Sequence, residues 1–114
     1  MNRVLNFELE TETEGTRALV RIRGDLDLQV IEQVTAALTQ IESAEPELLV
    51  IDLSRVTFMD SSGMATVAGA HIRAAEAGRR FAIVRPPANV RQAFDRTKLD
   101  KVIAITDDLD SIYP

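Results

Sequence analysis

Leu48-Leu-Val-Ile-Asp-Leu-Ser-Arg-Val-Thr-Phe-Met-Asp-Ser-Ser-Gly63 is the stretch that decides the fold. Its apolar run, residues 48–51, predicts a buried strand, and the polar residues within 52–54 predict a turn after it. A second apolar stretch, residues 56–59, leads through an Asp-Ser-Ser-Gly sequence into a helix. A strand that delivers hydroxyl groups to a helix N-terminus is a common place for ligand binding or chemistry in α/β proteins.

Length and composition restrict the class of protein. The 114 residues are 46% hydrophobic and 27% charged, which indicates one soluble globular domain with a real core. The net charge of −5 argues against a nucleic-acid binder and against attraction to anionic lipid. The chain has no cysteine, which excludes disulfides and thiol chemistry, and its single histidine, His71, excludes a multi-histidine metal site.

The sequence carries no signal for export or membrane insertion. Residues 1–5 have no apolar run of the kind found in a signal peptide, and no stretch approaches the length of a transmembrane helix. We therefore expect a cytoplasmic protein with neither a membrane nor a nucleic acid among its partners.

Two strands are predicted before the central stretch. Apolar residues alternate with glutamates over residues 7–12 and with arginines over residues 17–23. This pattern predicts a β-hairpin with acidic side chains opposite basic ones. Asp27 then fits the N-cap of a helix that runs to about Ser43. The apolar positions of that helix are Val30, Ile31, Val34, Leu38 and Ile41.

Helices and strands alternate after the central stretch. The helix that follows Gly63 has a natural C′ residue in Gly78, and a short buried strand is predicted at 81–84. A helix begun by Pro87, a strand within 101–105 and a final short helix over 107–112, capped by Thr106, are expected to follow. The expected buried face of the helix after Gly63 consists of Met64, Val67, Ala68, His71, Ile72 and Ala75.

The predicted order of elements, ββαβαβαβα, indicates the α/β class. Strand–helix alternation implies parallel strands joined by right-handed crossovers, and the hairpin adds an antiparallel N-terminal edge. We therefore expect a mixed, mainly parallel central sheet packed against helices. Residues 48–53, 81–84 and 102–105 should be neighbouring strands, with helices starting near Asp27, Ser61 and Pro87.

Enzymatic activity is not favoured by the residues present. A nucleophilic Ser61 or Ser62 needs a base, and His71 is the only histidine available. At the rise of an α-helix, His71 lies roughly 15 Å from Ser61, so a histidine packed in or near the core is the simpler interpretation. The Gly-x-Ser-x-Gly elbow and the glycine-rich phosphate loops are also missing, so we expect no enzyme.

Metal binding and phosphorylation are the remaining alternatives. Metal binding is only weakly indicated, by Asp25, Asp27, Asp52 and Asp60, since Asp27 fits an N-cap and Asp52 a turn. A serine in the first helical turn is a favourable place for phosphate, because free N–H groups and the helix dipole stabilise the added charge. Ser61 fits this hypothesis, flanked by Met59 and Met64 as flexible apolar surface for a partner. The alternative is that Ser61 only caps the helix.

Three landmarks together resemble those of a known family. Asp52-Leu-Ser-Arg-Val-Thr-Phe-Met-Asp-Ser-Ser-Gly63 closely resembles the signature of the STAS domain, as found in bacterial anti-sigma factor antagonists. Gly24-Asp-Leu-Asp27 resembles the family's turn before its first helix. Pro86-Pro-Ala-Asn-Val-Arg-Gln-Ala-Phe94 is similar to its later proline-led helix. The resemblance covers essentially the whole chain, so we expect a single STAS domain over residues 1–114.

The resemblance implies a regulatory switch without catalysis, metal or cofactor. An anti-sigma factor, which is a serine kinase with a GHKL-type ATP-binding fold, phosphorylates the first serine after the aspartate, here Ser61. The unphosphorylated antagonist binds that kinase and releases the sigma factor, and a PP2C-type phosphatase resets the switch. The acid matching Asp27 lies close to the serine. The implied partner-binding residues are Asp25, Asp27, Met59, Asp60, Ser61, Ser62, Gly63 and Met64.

The departures from the family pattern are small. Met64 stands where leucine is common and Asp25 where glutamate is common, and neither change threatens the function. The alternative is a non-phosphorylated STAS scaffold subunit of a stressosome or a lipid-transport complex. The intact Asp-Ser-Ser-Gly sequence favours the antagonist. Whether the protein forms a weak homodimer stays open.

Overall fold

The computed structural model describes residues 6–111, so residues 1–5 and Ile112, which the sequence analysis considered, lie outside it. The α-helices and strands follow the predicted order up to the last strand. Two short 3-10 helices, Leu99–Lys101 and Leu109–Ser111, flank that strand. The elements are β1 (Phe7–Glu14), β2 (Arg17–Leu26), α1 (Ile31–Ser43), β3 (Leu48–Met59), α2 (Ser61–Ala77), β4 (Arg80–Val84), α3 (Ala88–Thr97) and β5 (Ala104–Thr106).

The sheet has the predicted mixed topology. Its strand order is β1-β2-β3-β4-β5, with β1 antiparallel to β2 and all other neighbours parallel. The hairpin places Glu8 opposite Arg23 and Glu10 opposite Arg21, which confirms the predicted acid–base pairing. The parallel arrangement brings the carboxyl ends of β2 and β3 to one edge, where the central stretch enters α2.

The predicted turn at residues 52–54 is wrong, because β3 runs unbroken for 12 residues. The pairing with β2 instead shifts register between Arg21–Asp52 and Arg23–Arg55, which is a β-bulge. The backbone N–H of Ser54 donates to Asp52 Oδ1 over 2.9 Å inside that bulge. A side chain that satisfies the local backbone therefore allows the strand to bend and continue, rather than to end.

The main core lies on the face of the sheet that the three helices cover. Alternate residues of β2 and β3 meet buried residues of α1, α2 and α3 there. The buried face of α2 is rotated from the predicted one, since Ile72 is 56% exposed and Ala75 is also exposed. Small residues let the helix approach the sheet closely, and three of the five buried positions, Gly63, Ala70 and Ala74, are small. The buried residues of α2 are Gly63, Met64, Val67, Ala70 and Ala74.

The C-terminal elements are shorter than predicted. The strand expected at 102–105 begins only at Ala104, because the backbone N–H of Ile103 still donates to Leu99 O in the preceding turn. The last helix is reduced to the 3-10 helix 109–111. Asp108 caps it in place of Thr106, since Asp108 Oδ1 accepts a hydrogen bond from the backbone N–H of Ser111.

Lys98 ends α3 in the left-handed conformation, with φ 61°. A side chain in this region is strained, whereas glycine is not, so Lys98→Gly should raise the free energy of unfolding by about 1 kcal/mol. Gly78 holds the same position at the end of α2, with φ 70° and open space around its Cα. Gly78→Ala should therefore lower the unfolding free energy by a similar amount. Urea denaturation of both variants checks the pair, and equal shifts of the same sign would contradict it.

Candidate functional site

The site lies at the edge of the sheet where β2 and β3 end. Asp60 connects the two strand ends to α2, since its backbone N–H donates to Leu26 O over 3.3 Å. The backbone N–H of Leu28 in turn donates to Asp60 Oδ2 over 3.1 Å. The loop after β2 is therefore fastened to the residue that immediately precedes Ser61.

Asp60 is also the N-cap of α2. Its Oδ1 accepts hydrogen bonds from the backbone N–H of Gly63 over 3.0 Å and from the hydroxyl of Ser62 over 2.5 Å. The alternative that Ser61 caps the helix is thus wrong. The Ser61 side chain is exposed, and its hydroxyl has no hydrogen-bond partner among residues 6–111. One serine is held by the cap and the other is free to react.

The hydrogen bonds around Asp60 keep its carboxylate ionised. Burial, the largest influence, acts to raise the pKa of Asp60. The Ser62 hydroxyl and the backbone N–H groups of Gly63, Leu28 and Ser62 together outweigh burial, so the pKa lies below its ordinary value of 3.8. The cap is therefore fully charged at neutral pH.

Asp60→Ala should lower the free energy of unfolding by about 1–2 kcal/mol at neutral pH, because it removes a helix cap and an anchor of the preceding loop. A carboxylate whose pKa is lower in the folded state than in the unfolded state stabilises the fold at pH values above its unfolded pKa. That stabilisation is lost as the pH falls through the folded pKa. The difference from wild type should therefore shrink below pH about 4. Denaturation at pH 7 and pH 3 measures it. Asp110→Ala, at an exposed acid of the last turn, is the control.

The two acids before α1 lie near this edge, but Asp27 does not cap the helix as predicted. Asp27 Oδ1 accepts a hydrogen bond from the backbone N–H of Gln29 over 3.0 Å, forming a local turn, and α1 starts only at Ile31. Asp25 Oδ1 accepts from the hydroxyl of Thr57 on β3 over 2.9 Å. A short acidic side chain satisfies the nearest backbone donor first, which delays the helix by one turn.

Three of the predicted partner-binding residues are buried. Met59 and Met64 are only 8% and 7% exposed, so they are not the flexible outer surface that the sequence suggested. Gly63 is buried as well, where an added Cβ would lie 2.5 Å from Leu26 O. These residues support the site from its core side, because the end of β3 and the first turn of α2 are packed into the main core.

An open groove of about 470 Å³ runs between α2 and α3 beside Ser61. We call it the α2–α3 groove. Its walls are largely apolar, and its charged lining side chains are those of Asp60 and Arg96. The complete lining is Met59, Asp60, Ser61, Met64, Ala65, Ala68, Ala93, Arg96 and Thr97.

Two exposed apolar residues near the site were missed by the sequence analysis. Leu28 is 73% exposed in the loop fastened to Asp60, and Phe58 is 51% exposed near the end of β3. Their signal in the sequence was an apolar side chain directly after a predicted cap and another two residues before the Asp-Ser-Ser-Gly run. A continuous apolar patch, rather than a single exposed side chain, is typical of a surface that binds another protein.

His71, the single histidine of the sequence, lies on the helix that begins at Ser61. His71 is half-buried on α2, and its ring packs 5.9 Å from that of Phe81. Over residues 6–111, no group of three or more histidine, aspartate or glutamate side chains is placed to hold a metal ion. Within the same range, no helix has the length and apolar character needed to cross a membrane.

Comparisons with known proteins agree on one family. A model of the STAS domain matches residues 8–112. A protein of Paenibacillus polymyxa described as an anti-sigma F factor antagonist is 29% identical over 106 residues, which are 90% of this chain and 89% of that protein. The solved structure of the anti-sigma factor antagonist SpoIIAA in its unphosphorylated form is 25% identical, with a TM-score of 0.75 over 93% of this chain and 92% of the other. That of the Bacillus cell fate determinant SpoIIAA in the phosphorylated form is 23% identical, with a TM-score of 0.71 over 93% and 96%.

Proposed function

Because the chain belongs to the STAS domain family, we propose that it is an anti-sigma factor antagonist that phosphorylation of Ser61 switches off. The observation that carries this proposal is the exposed hydroxyl of Ser61, which has no hydrogen-bond partner among the described residues, beside an Asp60 whose carboxylate is bonded on both oxygens. The relative from Paenibacillus polymyxa bears the antagonist description, and SpoIIAA has structures in unphosphorylated and phosphorylated forms.

Ser61 is a better phosphate acceptor than Ser62. The Ser62 hydroxyl donates to Asp60 Oδ1 and is partly buried, so phosphorylating it would break its bond to the cap residue of α2. The Ser61 hydroxyl can approach ATP without losing a bond to residues 6–111. In that step the Ser61 oxygen takes the γ-phosphoryl group, and ADP and a proton leave.

The partner in this proposal is an anti-sigma factor serine kinase with a GHKL-type ATP-binding fold, and a PP2C-type phosphatase removes the phosphate with water. Asp60 lines the groove with Ser61, and Asp25 and Asp27 lie at the carboxyl end of β2 and just after it, at the same edge of the sheet. These three negative charges favour a basic partner surface. Leu28 and Phe58 supply exposed apolar area near the same loops. Met59, Gly63 and Met64 act by holding the acceptor loop in place.

Phosphopeptide mapping after incubation with the kinase and ATP tests the acceptor. The label should appear on Ser61, be absent from Ser61→Ala and persist in Ser62→Ala, which removes the neighbouring hydroxyl. A label on Ser62 or Thr57 that survives in Ser61→Ala would falsify the assignment of the acceptor.

A further inference from the structure

Arg96 is a cation on α3 that faces the same groove as Ser61. Both residues line the α2–α3 groove, and among residues 6–111 Arg96 is the one basic side chain that does so. Among residues 6–111, Arg96 forms no ion pair. Arg91, one turn earlier on the same helix, is paired with Asp95 at 3.8 Å. A guanidinium without a carboxylate partner is therefore available at the groove.

The N-terminus of α2 favours a negative charge on Ser61, but the groove beside it opposes one. A phosphoserine carries about −1.5 to −2 charges at neutral pH, and Asp60 lines the groove as an anion already. The walls of methionine and alanine offer no polar partner, and the Thr97 hydroxyl donates to the backbone carbonyls of Ala93 and Phe94. Apolar walls also strengthen any attraction between charges at their surface.

We propose that Arg96 binds the phosphoryl group on Ser61 across the α2–α3 groove. This inference rests on the proposed phosphorylation of Ser61. The planar guanidinium fork matches two phosphoryl oxygens, which makes arginine well suited to this role. The pair would hold the phosphate against the groove, cover its apolar walls and offset the repulsion from Asp60. Phosphorylation would then change the shape of the partner surface as well as its charge.

The test places phosphoserine at position 61 during translation, so that no kinase is needed. Phosphorus NMR follows the second ionisation of the phosphate, whose pKa is ordinarily about 6. A nearby guanidinium favours the doubly charged form, so Arg96→Met should raise this pKa by about half a unit relative to wild type. Arg96→Lys should retain part of the effect, because it keeps the charge but not the fork.

Arg91→Met is the matched control. It removes the same charge from the same helix, but Arg91 lines a different cavity, with Arg85 and Pro86. Equal phosphate pKa values in the Arg96→Met and Arg91→Met proteins would overturn the contact. Because the phosphate is installed without the kinase, the phosphate pKa values do not depend on whether the kinase recognises Ser61. A kinase that leaves Ser61 unlabelled would refute the proposed function and not the Arg96 contact.

Discussion

Ser61→Asp is expected to remove detectable binding to the anti-sigma factor and to leave the fold intact. The fold should tolerate the change because Ser61 is exposed and has no hydrogen-bond partner among residues 6–111. The interface should not, since a carboxylate joins Asp60 and the nearby Asp25 and Asp27 at a surface that must lose water on binding. Each 1.4 kcal/mol lost is a factor of about ten in affinity, and we expect at least about a hundredfold.

Calorimetric titration of the variants with the anti-sigma factor measures this loss. Ser61→Asn is the matched control, because asparagine has the shape of aspartate without its charge. Ser61→Ala should bind like wild type yet accept no phosphate, which would leave the sigma factor permanently released. If the aspartate and asparagine variants bind equally well, charge is not the basis of the switch.

The sheet was predictable because its signals are local. The hairpin was predicted from alternation with a period of two, which places glutamates opposite arginines. Strands β3 and β4 were predicted from apolar runs, which are typical of strands buried on both faces. The parallel order then follows from chain connectivity, since strands joined by helices return in the same direction. These features need no knowledge of distant contacts.

Two of the errors arose where a distant contact overrides a local signal, and the third where one local hydrogen bond replaces another. Asp52 has the character of a turn residue, but β3 continues beyond it through a β-bulge because its pairing with β2 resumes at Arg55. The face of α2 was rotated because close approach to the sheet favours its small residues over Ile72. Asp27 has a good N-cap composition, but its nearest donor, the backbone N–H of Gln29, lies in a turn before α1.

The position of the candidate serine could be read from the sequence, but its surroundings could not. The Asp-Ser-Ser-Gly sequence identified Ser61 as the candidate. The bond from Leu28 to Asp60 spans 32 residues, and the joint lining of a groove by Ser61 and Arg96 depends on how α2 and α3 lie on the sheet. Neither leaves a periodic signal in the sequence, so only the folded chain shows them.

Gly63→Ala should have the largest effect on stability, lowering the free energy of unfolding by about 2–3 kcal/mol. An added Cβ would lie 2.5 Å from Leu26 O, 2.9 Å from Leu26 Cγ and 3.0 Å from Met59 Cγ. The closest of these atoms is backbone, and it is the carbonyl that accepts from the N–H of Asp60. The clash would therefore separate β2 from α2 and outweigh the gain of up to about 1 kcal/mol that alanine has over glycine in a helix.

Gly69→Ala in the same helix is the control for Gly63→Ala. Its Cβ would meet only Arg73 Nη1, at 3.1 Å, at the end of a side chain whose guanidinium is bonded to Glu42. A small shift of that side chain removes the contact, so this variant should not be destabilised and should gain at most about 1 kcal/mol. Urea denaturation separates the two, and equal stabilities would show that Leu26 moves aside without loss.

Because Leu26 O and Leu28 N both bond Asp60, displacement of the β2 end should also weaken kinase binding by Gly63→Ala under conditions where the variant is still folded. A folded Gly63→Ala protein with wild-type affinity would mean that the loop after β2 does not position Ser61 for its partner.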